Sequence, residues 1–327
     1  MKPVHWSLKK RLLQGLDNIW SMPSIKCLPM ITLENEFRIE NVMDNILKKE
    51  FVLECKKGKV IIGKRTLVMG VLNVTSDSFS DGGLYLKKED AVKRAVEMAE
   101  EGADIIDVGG ESSRPGSLSV SLKDELERVV PVVKELAGKI SIPVSVDTTK
   151  SEVARQAVEE GADIVNDISA MRFDSKMAEI CARYNVPVIL MHMRGTPRDM
   201  QKDLRYNDLM SEIFGYLSER IGFAEDAGIS PEKIIIDPGI GFGKSVEDNL
   251  KIINRLAEFK TLGKPIVIGV SRKSFIGKTL NLNIDERLEG SLAAVAVSIL
   301  QGADIVRVHD VKEMKRVAVM TDAVRNS

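Results

Sequence analysis

Three nearly identical words punctuate this chain: EEGADIIDVGG at 100–110, EEGADIVNDIS at 159–169 and LQGADIVRVHD at 300–310. In each, Gly-Ala-Asp-Ile runs into one more apolar residue and then a polar one: Asp107, Asn166 and Arg307. A repeat that keeps an apolar strand and exchanges one hydrogen-bonding group reads as equivalent staves of one structure. Each stave delivers a different group to the same level.

The rest of the chain from residue 67 agrees. Short Val- and Ile-rich runs occur at 67–73, 104–109, 143–147, 163–167, 187–192, 233–237, 265–270 and 304–308. Helix-length segments separate them; in KEDAVKRAVEMAEEG the residues Ala91, Val92, Ala95, Val96 and Ala99 fall at helical spacing. Gly102, Gly161 and Gly302 follow such helices, where the chain favours a residue free to take positive φ. Nearly continuous apolar strands are those buried on both faces of a parallel sheet. Eight βα units over this length match a (β/α)8 TIM barrel, and the tandem likeness of three units favours closure over a doubly wound sheet. The barrel is expected over 65–327. Residues 1–64 form an N-terminal extension, in which FVLECKKGKVIIGK looks like a β-hairpin able to cap the lower mouth.

Composition narrows the function classes. A formal net charge of −1 gives no bulk positive charge for general nucleic-acid binding. Cys27, Cys55 and Cys181 are scattered and lack metal-ligand spacing, which suits a reducing cytoplasm. SLAAVAVSIL is the nearest approach to the ~20 apolar residues of a membrane helix, and it falls short. The basic stretch MKPVHWSLKKRLLQGLDNIW reads as a surface helix, and organellar targeting stays open for it; His5 is a surface residue in this reading. The helix in ERLEGSLAAVAVSILQG is apolar on more than one face, which marks a homodimer interface.

In barrels the site lies at the C-terminal strand ends. Polar residues gather there: Asn73, Asp107, Asp147, Asn166, Asp237, the Ser-Arg-Lys-Ser segment at 271–274, and Arg307 with His309. One such residue is ordinarily a helix cap, but caps on seven strands of eight are a poor account. Arg307 and His309, two apart, share a side and suit phosphate. Asp147, Asn166 and Asp237 are acceptors for a ring bearing N–H groups. Asn73 offers a neutral oxygen to Mg2+ in company with a diphosphate and water. DPGIGFGKS imitates a nucleotide P-loop, yet Pro238 stands where that motif needs glycine. It reads instead as a flexible strand-to-helix turn around Phe242. His192, after a buried strand, reads as a structural histidine.

These segments together resemble dihydropteroate synthases. The likeness rests on VMGVLNVTSDSFSDGG, IIDVGGESSRPGS, VSVDTTK, IVNDIS, IIIDPGIGFGKS, GVSRKSFIG and IVRVHD, in order, over about 62 to 325. The resemblance implies a folate-pathway transferase that condenses 6-hydroxymethyl-7,8-dihydropterin diphosphate with 4-aminobenzoate, and sulfonamide sensitivity. It implies that Asp147, Asn166, Asp237 and Lys273 hold the pterin, and that Asn73, Arg307 and His309 hold the diphosphate, with Mg2+ on Asn73. Ser113, Arg114, Pro115, Phe242 and Ser271 would form the aminobenzoate pocket, with Asp77 and Phe79 on a closing first loop. Two positions depart from the family pattern: Ser76 replaces a proline, and Ser113 replaces a threonine. The alternatives are a pterin-dependent methyltransferase, which does not need Arg307 and His309 for a diphosphate, and a non-catalytic pterin-binding protein.

Overall fold

The computed structural model describes residues 50–74, 88–114 and 116–327. The first loop with Ser76, Asp77 and Phe79, Pro115 of the second loop, the expected N-terminal surface helix with His5, and Cys27 lie outside the described residues.

Ten strands alternate with nine α-helices among the described residues. β1 (Phe51–Cys55) and β2 (Gly58–Ile62) pair antiparallel, with Phe51 opposite Ile62 and Cys55 opposite Gly58. The eight barrel strands are β3 (Leu67–Asn73), β4 (Ile105–Gly109), β5 (Val144–Asp147), β6 (Ile164–Asp167), β7 (Val188–Met191), β8 (Ile234–Asp237), β9 (Val267–Ile268) and β10 (Ile305–Val308). All are parallel, in the order β8-β7-β6-β5-β4-β3-β10-β9, and the bridge between Ile236 and Ile266 brings the two edges together. The helices are α1 (Lys88–Glu100), α2 (Leu122–Lys139), α3 (Ser151–Glu159), α4 (Met177–Arg183) and α5 (Leu209–Asp226). They continue with α6 (Val246–Asn254), α7 (Ser274–Leu280), α8 (Leu288–Leu300) and α9 (Val311–Arg325). The barrel expected from the eight apolar runs is the fold.

Strand alternation divides the core in two. Val68, Ile106, Val165, Val188, Ile236 and Val306 point outward and pack under the helices. Leu67, Met69, Ile105, Ile164, Ile189, Ile235, Val267 and Ile305 point inward and fill the lower barrel, where Leu53 and Ile62 of the hairpin complete the cluster. The hairpin plugs the lower mouth, as the sequence led us to expect. Gly102, Gly161 and Gly302 take φ of 102°, 115° and 98°, the positive values that end the preceding helices.

The aspartate of each repeated word has a role that the repeat did not reveal. Asp104 accepts from Val68 N–H at 2.9 Å, Asp163 from Val144 N–H at 2.9 Å, and Asp304 from Ile266 N–H at 2.8 Å. Each satisfies the first free backbone donor of a neighbouring strand at the barrel's lower end, where no strand partner reaches it. Lys260, almost fully buried, adds its ammonium to Asp304 at 2.5 Å.

Candidate active site

Two residues above the inward apolar layer, the same rows turn polar. Asp107 stands above Ile105, Asn166 above Ile164, Asp237 above Ile235 and Arg307 above Ile305, because side chains two apart share a strand face. On β5 the outward Val144 and Val146 leave Ser145 and Asp147 facing in. On β3 the inward row ends at the half-buried Asn73. Asp147 lies in register with Gly109 on one side and Asn166 on the other.

These groups bond to one another. Arg307 donates through Nε to Oδ2 of Asp107 at 2.6 Å and through Nη2 to Oδ2 of Asp147 at 2.7 Å. Asn166 Nδ2 donates to the same Asp107 oxygen at 3.0 Å, while Oδ1 of Asp107 has no protein partner. Expected beside a diphosphate, Arg307 has two carboxylates as its immediate neighbours, since all three residues share the inward level. Oδ1 of Asp237 accepts from Gly239 N–H at 2.6 Å. Lys273, entering α7, donates to the Ile240 carbonyl and lies 4.5 Å from the Phe242 ring centroid. Ser271 Oγ accepts from His309 N–H at 3.3 Å and stands 3.2 Å from its Nδ1.

Burial sets the electrostatics. It lifts the Asp147 carboxyl to about 7, against the pull of Arg307, and it raises Asp237 against Lys273. It lowers Lys273 to about 8, with Asp237 opposing. Burial and the adjacent Arg307 push His309 down to about 4, so its ring is neutral near pH 7 and acts as a hydrogen-bonding group. The carboxylates of Asp107 and Asp147 outweigh burial and hold Arg307 above its ordinary value. The mouth therefore combines acceptor oxygens with a permanent cation and a tunable one.

Beside this cluster opens a cavity of about 550 Å³, lined by both Asp147 and Ser113. Ser113 is half-buried and Arg114 exposed on the loop after β4. Phe242 is buried against Met191, Met193 and Met200. The turn that carries it was expected to be flexible, but Lys244 holds it. That buried ammonium donates to the carbonyls of Gly239 at 2.8 Å and Phe242 at 3.0 Å, and lies 3.0 Å from Nδ1 of His192. Burial lowers Lys244 to about 7. The lysine of the P-loop look-alike thus braces its own turn. His192 is buried with its ring edge-on to Tyr216 at 4.8 Å, in keeping with a structural role. Lys244 was missed in the sequence because backbone carbonyls leave no residue signature and His192, its side-chain partner, is 52 residues away.

Fold and site together define a barrel enzyme whose strand-end mouth sets buried carboxylates and an amide against an arginine. The family model described as pterin binding enzyme matches residues 69–309. The chain belongs to that family, and within it to the dihydropteroate synthases. It is 51% identical to the dihydropteroate synthase of Clostridium beijerinckii over 80% of this chain and 96% of that protein. It is 50% identical to that of Escherichia coli over 75% of this chain and 87% of that protein. Among solved structures it is similar to the Yersinia pestis dihydropteroate synthase with a sulfonamide drug complex. That match has a TM-score of 0.81 and 40% identity, covering 84% of this chain and 100% of the other. The Xanthomonas albilineans dihydropteroate synthase with 4-aminobenzoic acid gives 0.80 and 41%, covering 85% and 100%.

Proposed function

We propose that the chain catalyses dihydropteroate synthesis: 6-hydroxymethyl-7,8-dihydropterin diphosphate and 4-aminobenzoate give 7,8-dihydropteroate and pyrophosphate. The observation that carries this is the convergence of Asp147, Asn166, Asp237, Lys273 and Arg307 on one barrel mouth, in a chain about half identical to curated synthases.

The roles follow from the chemistry. Asp147, Asn166 and Asp237 accept from the ring N–H groups of the pterin, and those donors favour the ionised carboxylates that burial disfavours. Lys273 balances Asp237 and donates to a ring oxygen. Arg307, with two carboxylates behind it, presents the free side of its guanidinium to the diphosphate, joined by the neutral His309 as a donor. The methylene C–O bond breaks with its electron pair leaving on pyrophosphate, and the arylamine nitrogen forms the new C–N bond and gives its proton to water. An arylamine needs no strong base, so catalysis rests on charge set in advance and on exclusion of water. Ser113, Arg114, Phe242 and Ser271 line the approach of 4-aminobenzoate.

The donor set fits Mg2+ carried in with the diphosphate. Among the described residues no three His, Cys, Asp or Glu side chains gather as a cage. Asn73 supplies one neutral oxygen, and Mg2+ keeps water and phosphate oxygens around it and takes few protein ligands. When bound, the ion would neutralise charge developing on the leaving diphosphate.

We assign a homodimer to α8 and α9, which pack together and expose Val297 and Leu300 on one helix and Val319, Met320 and Val324 on the other. We place the protein in the cytoplasm on its scattered cysteines, with organellar targeting by the basic N-terminus as the alternative. The test of the function is mass-spectrometric detection of dihydropteroate formed from the two substrates with Mg2+. Product that needs both substrates, and that falls when a sulfonamide competes with 4-aminobenzoate, supports the assignment. Pterin bound without product under these conditions overturns it.

A further inference from the structure

The 550 Å³ cavity beside Asp147 has a charged base built from three elements. Glu125, in the first turn of α2, is 1% exposed, and its two oxygens are both engaged. One accepts from Thr148 Oγ1 at 2.6 Å, and the other from Lys150 Nζ at 2.5 Å. The same ammonium reaches Glu111, the residue from which the loop carrying Ser113 and Arg114 departs. The two carboxylates outweigh burial and hold Lys150 above its ordinary value, so its ammonium stays charged through neutral pH.

The backbone at that point is gripped as well. Arg128 donates to the Gly110 carbonyl at 3.1 Å. A Cβ at Gly110 would stand 2.6 Å from Val129 Cγ2 and 3.0 Å from Glu125 Cγ, so only glycine lets α2 come this close. Further along the loop, Ser117 Oγ donates to the Ser112 carbonyl at 2.6 Å, and Gly116 N–H to the Pro197 carbonyl at 3.0 Å. The loop is therefore fixed at both ends of its Ser113–Arg114 segment. A buried carboxylate is costly unless fully paired, and an apolar residue at 125 would pack against Val129 without that cost. The charged arrangement makes sense if it controls where the loop stands.

We infer that Lys150 is a positioning residue for the second substrate: by holding Glu111 to Glu125 it sets Ser113, which lines the same cavity as Asp147, and the adjoining Arg114 where 4-aminobenzoate enters. This deepens the function proposed above and rests on it. Lys150 is not part of the Thr148–Glu125 bond, which secures the chain next to Asp147. Removing the lysine therefore frees Glu111, at the start of the aminobenzoate loop, and leaves the pterin acceptors in place.

The test uses the full chain and three variants: Lys150→Met, Lys150→Arg and Glu111→Gln. Both KM values and kcat are measured, with binding of the pterin diphosphate followed by calorimetry without 4-aminobenzoate. In Lys150→Met the KM for 4-aminobenzoate is expected to rise about tenfold, with kcat within about threefold and pterin diphosphate affinity within about twofold. Glu111→Gln moves in the same direction, and Lys150→Arg restores most of the wild-type value. If Lys150→Met does not fold, Glu111→Gln decides, because it leaves Lys150 on the buried Glu125. An unchanged KM for 4-aminobenzoate, or an equal loss of pterin affinity, overturns the inference. A wild-type chain that makes no dihydropteroate overturns the function and the inference with it.

Discussion

Arg307 donates to Asp107 at 2.6 Å although the two stand 200 residues apart in the chain. They meet because β10 and β4 both flank β3, and each residue lies two places above an inward isoleucine. Asp107 is fully buried, and through one oxygen it holds both Arg307 and Asn166. It fixes the direction of the group that faces the diphosphate. Asp107→Ala is expected to destabilise the fold by about 3 kcal/mol, near the low end for breaking a buried pair because Asp147 still holds Arg307. The urea midpoint measures this, and a variant as stable as the wild type would remove Asp107 from the account.

Asp147 gives a pH prediction. Burial raises its folded-state carboxyl to about 7, above the unfolded value of about 3.9. Between these values the folded state binds the extra proton, so its stabilising contribution is complete below about pH 4 and is lost as pH rises through about 7. Asp147→Asn cannot ionise. Its stability relative to wild type should therefore climb between pH 4 and pH 7 and level off above, as denaturant titrations at a series of pH values would show. A difference that stays flat across that window would mean that Arg307 dominates and the carboxyl is ionised throughout.

Much of this arrangement was legible in the sequence, for a physical reason. Parallel strands buried on both faces are apolar throughout, so a polar residue at a strand's C-terminal end stands out, and the repeated words align Asp107, Asn166 and Arg307 at one level. The hairpin was legible too, from Gly58 between two apolar runs. What escaped are contacts that no period announces. Asp104, Asp163 and Asp304 read simply as the first residues of their strand runs, and only closure of the barrel shows which backbone N–H each one meets. Lys150 meets Glu125 and Glu111 across 25 and 39 residues, and Lys244 is hidden inside a P-loop look-alike. In these places a charged side chain is consumed by the protein itself, which a strand or helix pattern cannot encode.

The hairpin plug gives a prediction that separates stability from chemistry. Leu53 is 1% exposed among the inward residues of the lower barrel, at the end remote from Asp147 and Arg307. Leu53→Ala should cost about 2–5 kcal/mol through the cavity that it leaves. At a temperature where the variant stays folded, kcat should be within about twofold of wild type, since the lost contacts lie in no transition-state interaction. Parallel denaturation and rate measurements check both halves, and a large loss of kcat in folded protein would show that the plug reaches the upper mouth.

The central claim is that Arg307 and its strand-end neighbours form a centre that expels pyrophosphate from a pterin diphosphate. It is tested most directly by pyrophosphate release from purified protein with Mg2+ and both substrates, run beside Arg307→Ala. The account predicts release that requires 4-aminobenzoate in the wild type, and a fall of about 10²-fold or more in kcat/KM in a variant that still folds. Release that is undiminished in Arg307→Ala, or absent from a wild type that binds the pterin diphosphate, would contradict it.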